Sequence, residues 1–280
     1  MALGRADEML DSLSSLPVLP PLADELVSMA ISSEGGFERV LAVVEQDPVL
    51  AAIVLRMVNS AAFALSAEVT ELSRAVVLLG AAHVRSLALA AAMSALSAVP
   101  DADERFAHSF STACTARLVA VAGRATWEET AFAAGILHDI GELVVVALDA
   151  EPAEDGLNAT ARIAIERTSL GTDHAELGAA LARRWSIPEV LCAPIEGHHG
   201  DIPHMALPAE PTGEALTAIV AAAECVLDEL DGTAHSDGRS AADALLALGL
   251  GDPDAIIARA GAVREAHFSA MGMATAGAQR

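Results

Sequence analysis

Apolar residues recur along this chain at the three- and four-residue spacing of helices, punctuated by prolines, glycines and clusters of acids. After a short acidic lead-in, Leu16-Pro17-Val18-Leu19-Pro20-Pro21 is non-helical, because each proline fixes its own φ and pushes its predecessor into extended geometry. Helices are expected from about Leu22 to Ile31 and from Phe37 to Glu45. Asp47-Pro48, an N-cap acid with proline at the first helical position, starts another that ends near Asn59-Ser60. Glu71 to Leu79 follows, then a break at Gly80 and a long helix from about Ala82 to Ala98.

Pro100-Asp101-Ala102-Asp103 marks a junction, and a second group of helices begins with Glu104 to Arg124 and Trp127 to His138. The apolar run from Glu142 to Leu148 fits a helix or a buried strand, which periodicity does not separate. Asp173 and Glu176 have the D-x-x-E form of an N-cap and capping box, opening a helix with His174, Leu177, Leu181 and Trp185 on its inner stripe. Another apolar helix ends at His198-His199 before Gly200, and the last helices are Glu214 to Leu230, Ala241 to Leu248 and Pro253 to Phe268. Loops are expected near 149–157, 200–213 and 231–239, and a frayed tail after Met271.

Composition supports the helical reading. Hydrophobic residues make up 53% of the 280, enough for a sizeable core, but aromatics only 3%, with no tyrosine. The core must be built from Ala, Leu, Val and Ile, a mixture in which Ala and Leu favour helices. The fold class read from this is all-α. The formal charge is −23, and all 16 basic residues are arginine. That excess of negative charge opposes sequence-independent nucleic-acid binding, and the missing lysine removes Schiff-base and Walker-type chemistry. Cys114, Cys192 and Cys225 form neither a disulfide framework nor a CxxC pair, which suits a reducing cytoplasm. Met1 to Asp11 lacks the order of a secretion signal, and the most apolar stretch, Ala75 to Val99, is interrupted by His83 and Arg85, so no membrane span is expected.

Candidate chemistry gathers at histidines and inward acids. His138-Asp139 closes an apolar helix just before Gly141, where both side chains can turn toward one ion. Glu104 and His108 share a helix face at i, i+4, continued by Ser111 and Thr115. His174 points inward from the first turn of its helix, and His198-His199 ends another. Glu224 is an acid inside the apolar run Ile219 to Leu227, a position that is costly unless the carboxylate is paired or bound to a cation. Such a nitrogen and oxygen donor set suits Fe, Mn, Zn or Ni, as one or two ions, and not a thiolate site.

The ordered run His108, His138-Asp139, His174, His198-His199 and a late acid resembles the HD superfamily of metal-dependent phosphohydrolases. Within it, Leu16-Pro17, Leu19-Pro20, Asp47-Pro48, Asn59-Ser60-Ala61-Ala62-Phe63, Ala75 to Gly80, Val84-Arg85-Ser86-Leu87, and Asp173-His174-Ala175-Glu176 with Trp185 and Pro188 resemble the HDOD (HD-related output domain) family. The resemblance covers about Leu16 to Leu230. It implies a two-lobed helical fold: a lead-in over 1–15, an N-terminal lobe over 16–100, an HD-like lobe over 101–270 and a tail over 271–280.

It also implies bacterial signal transduction through contacts with a protein partner. With no receiver or sensor segment in the sequence, the input is expected to arrive from a separate protein, and the cysteine usage points to the cytoplasm. Carried over position by position from the HD-GYP relatives that hydrolyse cyclic dinucleotides, the metal ligands are Glu104, His108, His138, Asp139, His174, His198, His199 and Glu224. His108, His138, Asp139 and Glu224 would surround one metal, with His174, His198 and His199 completing a second and Asp139 bridging the two. Active relatives keep a lysine three residues after the HD aspartate, where this chain has Glu142, and the segment Leu143 to Gly156 has no GYP signature. Glu224 also replaces the relatives' late aspartate, one methylene longer. These departures favour a regulatory module. The alternative is a metal-dependent phosphohydrolase or phosphodiesterase with His138 and Asp139 catalytic and Arg183 or Arg184 replacing the lost cation; an iron-dependent oxygenase is a third reading.

Overall fold

A computed structural model of the chain describes residues 4–13, 37–45, 51, 55, 69–80, 84, 102–148, 159–233 and 238–271. Among them there are helices and no strand. In chain order these are α1 (Arg5–Ser12), α2 (Phe37–Glu45), α3 (Leu72–Leu79), α4 (Ala102–Ala122), α5 (Glu128–Leu137), α6 (Gly141–Ala147), α7 (Ala159–Leu170), α8 (His174–Arg184), α9 (Glu189–Gly197), α10 (Gly213–Asp231), α11 (Ala241–Ala247) and α12 (Pro253–Met271). The chain is all-helical, as its composition indicates. The expected helices over 22–31, 47–60 and 82–98, most of the motif residues between Leu16 and Leu87, the loop over 149–157 and the tail after Met271 lie outside the described residues, apart from a few positions.

The core is built where α4, α5, α9 and α10 meet. Helix α10 is its centre: from Ala215 to Leu227 nearly every side chain is buried, and Glu224 is the acid among them. Small residues let these helices approach closely. A Cβ on Gly135 of α5 would stand 2.5 Å from the Ala113 Cα of α4, so the crossing depends on that glycine.

Gly141 does more than end a helix. It is the first residue of α6, and a Cβ there would fall 1.7 Å from the His174 carbonyl oxygen at the start of α8. Gly178, one turn further along α8, is packed against the Gly141 amide in the same way. This close docking settles the run from Glu142 to Leu148: it is helical in spite of its β-branched residues, because α6 packs along α8 with Val144 and Val145 buried beside Leu177 and Leu181.

Two helices were not anticipated from the periodicity. The acidic lead-in forms α1, which buries Leu10 in the α6–α8 cluster and holds Arg184 through Asp7 and Asp11. Helix α7 occupies 159–170 with only Glu166 buried, so its apolar pattern is faint. At α8 the Asp173 side chain accepts the Glu176 amide at 2.9 Å, the N-cap read from the sequence. The Glu176 carboxylate does not return that bond; it accepts from the Thr172 hydroxyl at 2.7 Å instead.

The stretch 128–147 has the length and apolarity to cross a membrane, but it is α5 and α6 joined at a turn, with 78% of it buried inside the fold. The three cysteines are free thiols.

Candidate metal centre

Helices α5 and α9 end in the same way. Each is closed by a histidine, His138 and His198, whose Nδ1 donates to a carbonyl three residues back in its own last turn: Gly135 at 2.7 Å and Ile195 at 2.9 Å. The carbonyls at a helix C-terminus lack intrahelical donors, so the cap is locally favourable. It also fixes each ring with Nε2 facing inward, and the partial negative charge of two helix ends favours a cation between them. The residue after each cap, Asp139 or His199, turns toward the same centre. The His-Asp and His-His pairs are thus one local construction used twice.

Around these ends the fold gathers two groups of donors: His108, His138 and Glu224, and Asp139, His174, His198 and His199, each with its ligand atoms within 4.8 Å of one another. In the first, the Nε2 atoms of His108 and His138 lie 3.3 Å apart, and Glu224 Oε1 lies 3.4 and 3.5 Å from them. In the second, the His174 and His199 Nε2 atoms are 2.8 Å apart. Asp139 faces both groups. Its Oδ2 is 3.3 Å from His138 and 3.5 Å from His108, while its Oδ1 is 3.3 Å from His198 and 3.6 Å from His174. Seven of the eight residues singled out in the sequence therefore converge. The eighth, Glu104, lies on α4 one turn before His108, and its side chain is outside the described residues.

The electrostatics are those of imidazoles sharing a confined space with carboxylates. Burial pulls His138 down, but Asp139 and then Glu224 more than compensate and raise it. The same balance lifts His108 to about 10, with Glu224 the main attraction. Burial would raise the two acids, yet His138 draws Asp139 well below the carboxylate range and His108 does the same for Glu224. In the second group burial wins. His198 is lowered, and His199 is pushed down to about 2 by burial and the neighbouring His198 and His174. Asp139 Oδ1 and His198 Nε2 face each other at 3.3 Å without a well-formed hydrogen bond, and His199 Nδ1, on the far side of its ring from the Nε2 that meets His174, is buried without a partner.

Supporting residues that the sequence reading missed complete the surroundings. Glu166 of α7 accepts from His174 Nδ1 at 2.6 Å and from the His174 amide at 2.9 Å, so that His174 too presents Nε2 inward. Burial raises Glu166, but the His174 bonds outweigh it and lower it. The Thr112 hydroxyl donates to Glu224 Oε1 at 2.7 Å. The signals for Glu166 were its i, i+4 spacing from Arg162 and its place eight residues before His174, both inside a helix not assigned from the pattern.

A family model, that of the HDOD domain, matches residues 16–200. The chain belongs to the HDOD family. This HDOD chain is similar in fold to the crystal structure of an HDOD domain protein of unknown function from Geobacter sulfurreducens, with a TM-score of 0.72, 23% identity, and coverage of 95% of this chain and 97% of that one. It is also similar to a candidate phosphohydrolase from Shewanella amazonensis SB2B (TM-score 0.70, 28% identity, 98% and 99% covered). A third likeness is to a candidate signal-transduction protein from Marinobacter aquaeolei VT8 (TM-score 0.69, 22% identity, 96% of this chain and 64% of that one). An uncharacterized protein of Treponema pallidum (strain Nichols) is 28% identical over 236 residues, covering 81% of this chain, which spans 45% of that relative's length.

Against the HDOD expectation of a lost cation at position 142, the surroundings of Glu142 differ from a bare inverted charge. One carboxylate oxygen pairs with Arg105 of α4 and the other with Arg162 of α7. The arginines proposed as replacements lie elsewhere: Arg183 is bound to Glu189 and Glu196, and Arg184 to Asp7 and Asp11. Among the described residues, Arg105 and Arg162 are the cations that pair with Glu142.

Proposed function

We propose that this HDOD chain is a regulatory module of bacterial signalling that holds one or two divalent metal ions in the His/Asp/Glu cluster and passes its state to a partner protein. The observation that carries the metal is a pair of deeply placed ligand atoms, Asp139 Oδ1 and His198 Nε2, that face each other at 3.3 Å without a well-formed hydrogen bond. Polar atoms withdrawn from water without a partner are costly, and a cation beside Asp139 Oδ1 and His198 Nε2 would satisfy both. Imidazole nitrogens and carboxylate oxygens suit Fe, Mn, Zn or Ni. His108, His138 and Glu224 would hold one ion and His174, His198 and His199 a second, with Asp139 shared and Glu104 completing the candidate set. The signalling half is supported by family membership and by the description of the Marinobacter aquaeolei protein of similar fold.

Elemental analysis of the purified protein is expected to give one or two equivalents of metal, lost in His138→Ala and Asp139→Ala. A wild-type protein that takes up none under any loading would overturn this reading and leave the cluster as packing.

A second reading, a metal-dependent phosphohydrolase, is favoured by one feature: a single carboxylate, Asp139, offers separate oxygens to the two donor groups. A pair of divalent ions so placed supplies Lewis acidity and an activated water for phosphoester hydrolysis. On this reading His138 and Asp139 are catalytic, and the likeness to the Shewanella amazonensis protein adds support. Release of nitrophenol from mono- or bis-nitrophenyl phosphate by metal-loaded protein, abolished in the same two variants, would establish it. No release with metal present would leave the regulatory reading.

A further inference from the structure

Helix α1 lies ahead of residues 16–200, which the family model matches, and outside the main core. It rests on α6 and α8, where Leu10 packs with Val144, Val145, Leu177 and Leu181, and Ala6, Met9 and Leu13 pack beside it. Those four residues of 4–13 recur at i, i+3, i+4 and i+7, a single helical stripe. Polar contacts fix its register. Arg5 Nε donates to the carbonyl of Leu170, the last residue of α7, at 2.9 Å. Asp7 and Asp11, one turn apart, share Arg184 of α8, whose Nη2 lies 2.8 Å from Asp11 Oδ1 and donates to the Asp7 carbonyl at 3.1 Å. The groove therefore reads a pattern: an apolar stripe with two acids four residues apart beside it.

The hold on α1 is slight for the surface it covers. Its 8 residues are too few for a helix stable on its own, and Gly4 gives it no side-chain cap. Leu10 is its one fully buried side chain. Asp7 and Asp11 expose 40% and 53% of their side chains, where solvent screening leaves ion pairs little worth. Elements held so lightly open at low cost, and undocking of α1 leaves an apolar patch that calls for another cover. The α1 of a second copy fits no better and lacks the advantage of the tether. Displacement takes a helix of the same pattern that is longer or better capped.

We propose that the groove between α6 and α8 is a docking site for an acidic amphipathic helix of a partner protein, with α1 as its internal occupant. This deepens the regulatory reading above and rests on it, by giving the partner a seat, but it does not require the metal. The seat runs along two helices that begin at the cluster: Asp139 lies two residues before α6, and His174 is the first residue of α8. A partner docked here touches the elements that position both residues.

The probe is a fluorescein-labelled peptide of residues 1–15, titrated by anisotropy into full-length protein, with metal content measured on every sample. Wild type is expected to bind it weakly and Leu10→Asp about tenfold more tightly, the factor for a groove that an internal helix fills roughly nine-tenths of the time. Asp7→Arg combined with Asp11→Arg loosens α1 without an apolar change and is expected to give a gain of about threefold. Arg184→Glu added to Leu10→Asp is expected to weaken the natural peptide and to favour one carrying Asp7→Arg and Asp11→Arg. Equal binding by wild type and both loosened variants, or none by a Leu10→Asp protein that melts cooperatively, would overturn the docking site. A Leu10→Asp protein that does not fold, with no gain in the charge-reversed chain, would make α1 a fixed part of the fold and overturn it as well. Self-association of wild type that Leu10→Asp abolishes would put a second copy in the groove in place of a partner. Peptide binding that follows this pattern in protein taking up no metal would support the groove while the metal reading fails.

Discussion

His174 shows how much of a ligand's behaviour is set by the residue behind it. His138 and His198 have their Nδ1 atoms fixed by carbonyls of their own helices, but His174 sits at a helix start, where no such carbonyl is available, and takes a carboxylate from α7. A carboxylate there orients the ring and makes Nε2 a stronger donor. Replacing Glu166 by Gln keeps an acceptor oxygen and removes the charge. Metal affinity is expected to fall roughly 10- to 100-fold, the usual effect of losing such a partner, as read by competition with a chromophoric chelator. Unchanged affinity would show that His174 is oriented by packing alone. His138-Asp139 and His198-His199 were legible in the sequence because each pair is contiguous and closes an apolar run. Glu166 was not, because its partnership spans a helix boundary and its own helix shows almost no buried face.

Between elements, the decisive contacts are backbone against backbone. The α6–α8 docking through Gly141 and Gly178 sets how Asp139, two residues before Gly141, meets His174, the first residue of α8. A methyl group at position 141 would overlap the His174 carbonyl and force the helices apart. Gly141→Ala is expected to destabilise the fold by about 3 kcal/mol, the upper end of ordinary overpacking, and to lower metal affinity as well, since Asp139 and His174 separate. Thermal melts with and without metal check this; a variant that melts and binds as wild type would refute the close approach. The sequence placed a break at this glycine for a different reason, as a helix stop, because crowding by a residue 33 positions away leaves no local trace. The same limit applied to 142–148, where composition allowed helix or strand and only the docking on α8 decides, and to α1, whose burial of Leu10 depends on α6 and α8.

For the whole molecule, the cluster makes stability depend on pH in a way that reports whether metal is bound. In metal-free protein His199 is held down to about 2 from 6.5, so below pH 6.5 the unfolded chain takes a proton that the folded chain refuses, and stability falls with falling pH. Glu224, lowered from 4.5, adds to this acid limb: its contribution is present above 4.5 and is lost as pH drops toward its folded value. His108 behaves oppositely. Raised to about 10, it keeps above pH 6.5 a proton that the unfolded chain has released, so its contribution is complete below 6.5 and is lost as pH climbs toward 10. Because 42% of that side chain is exposed, solvent screens its pairs with the acids and this limb is the shallower. The chelator-stripped protein is therefore expected to melt highest near pH 6.5, with His108→Ala reducing the alkaline slope, to which raised His138 and His174 also contribute, and His199→Ala reducing the acid slope, to which lowered His198 also contributes. Metal needs neutral imidazoles, so uptake expels the His108 proton: affinity rises between pH 6.5 and 10, and loaded protein loses its alkaline limb. Melting temperatures of stripped protein that keep rising from pH 6.5 to 9 would show that His108 is not held as a cation between Glu224 and Asp139, and that the cluster does not balance its charges by protons when metal is absent.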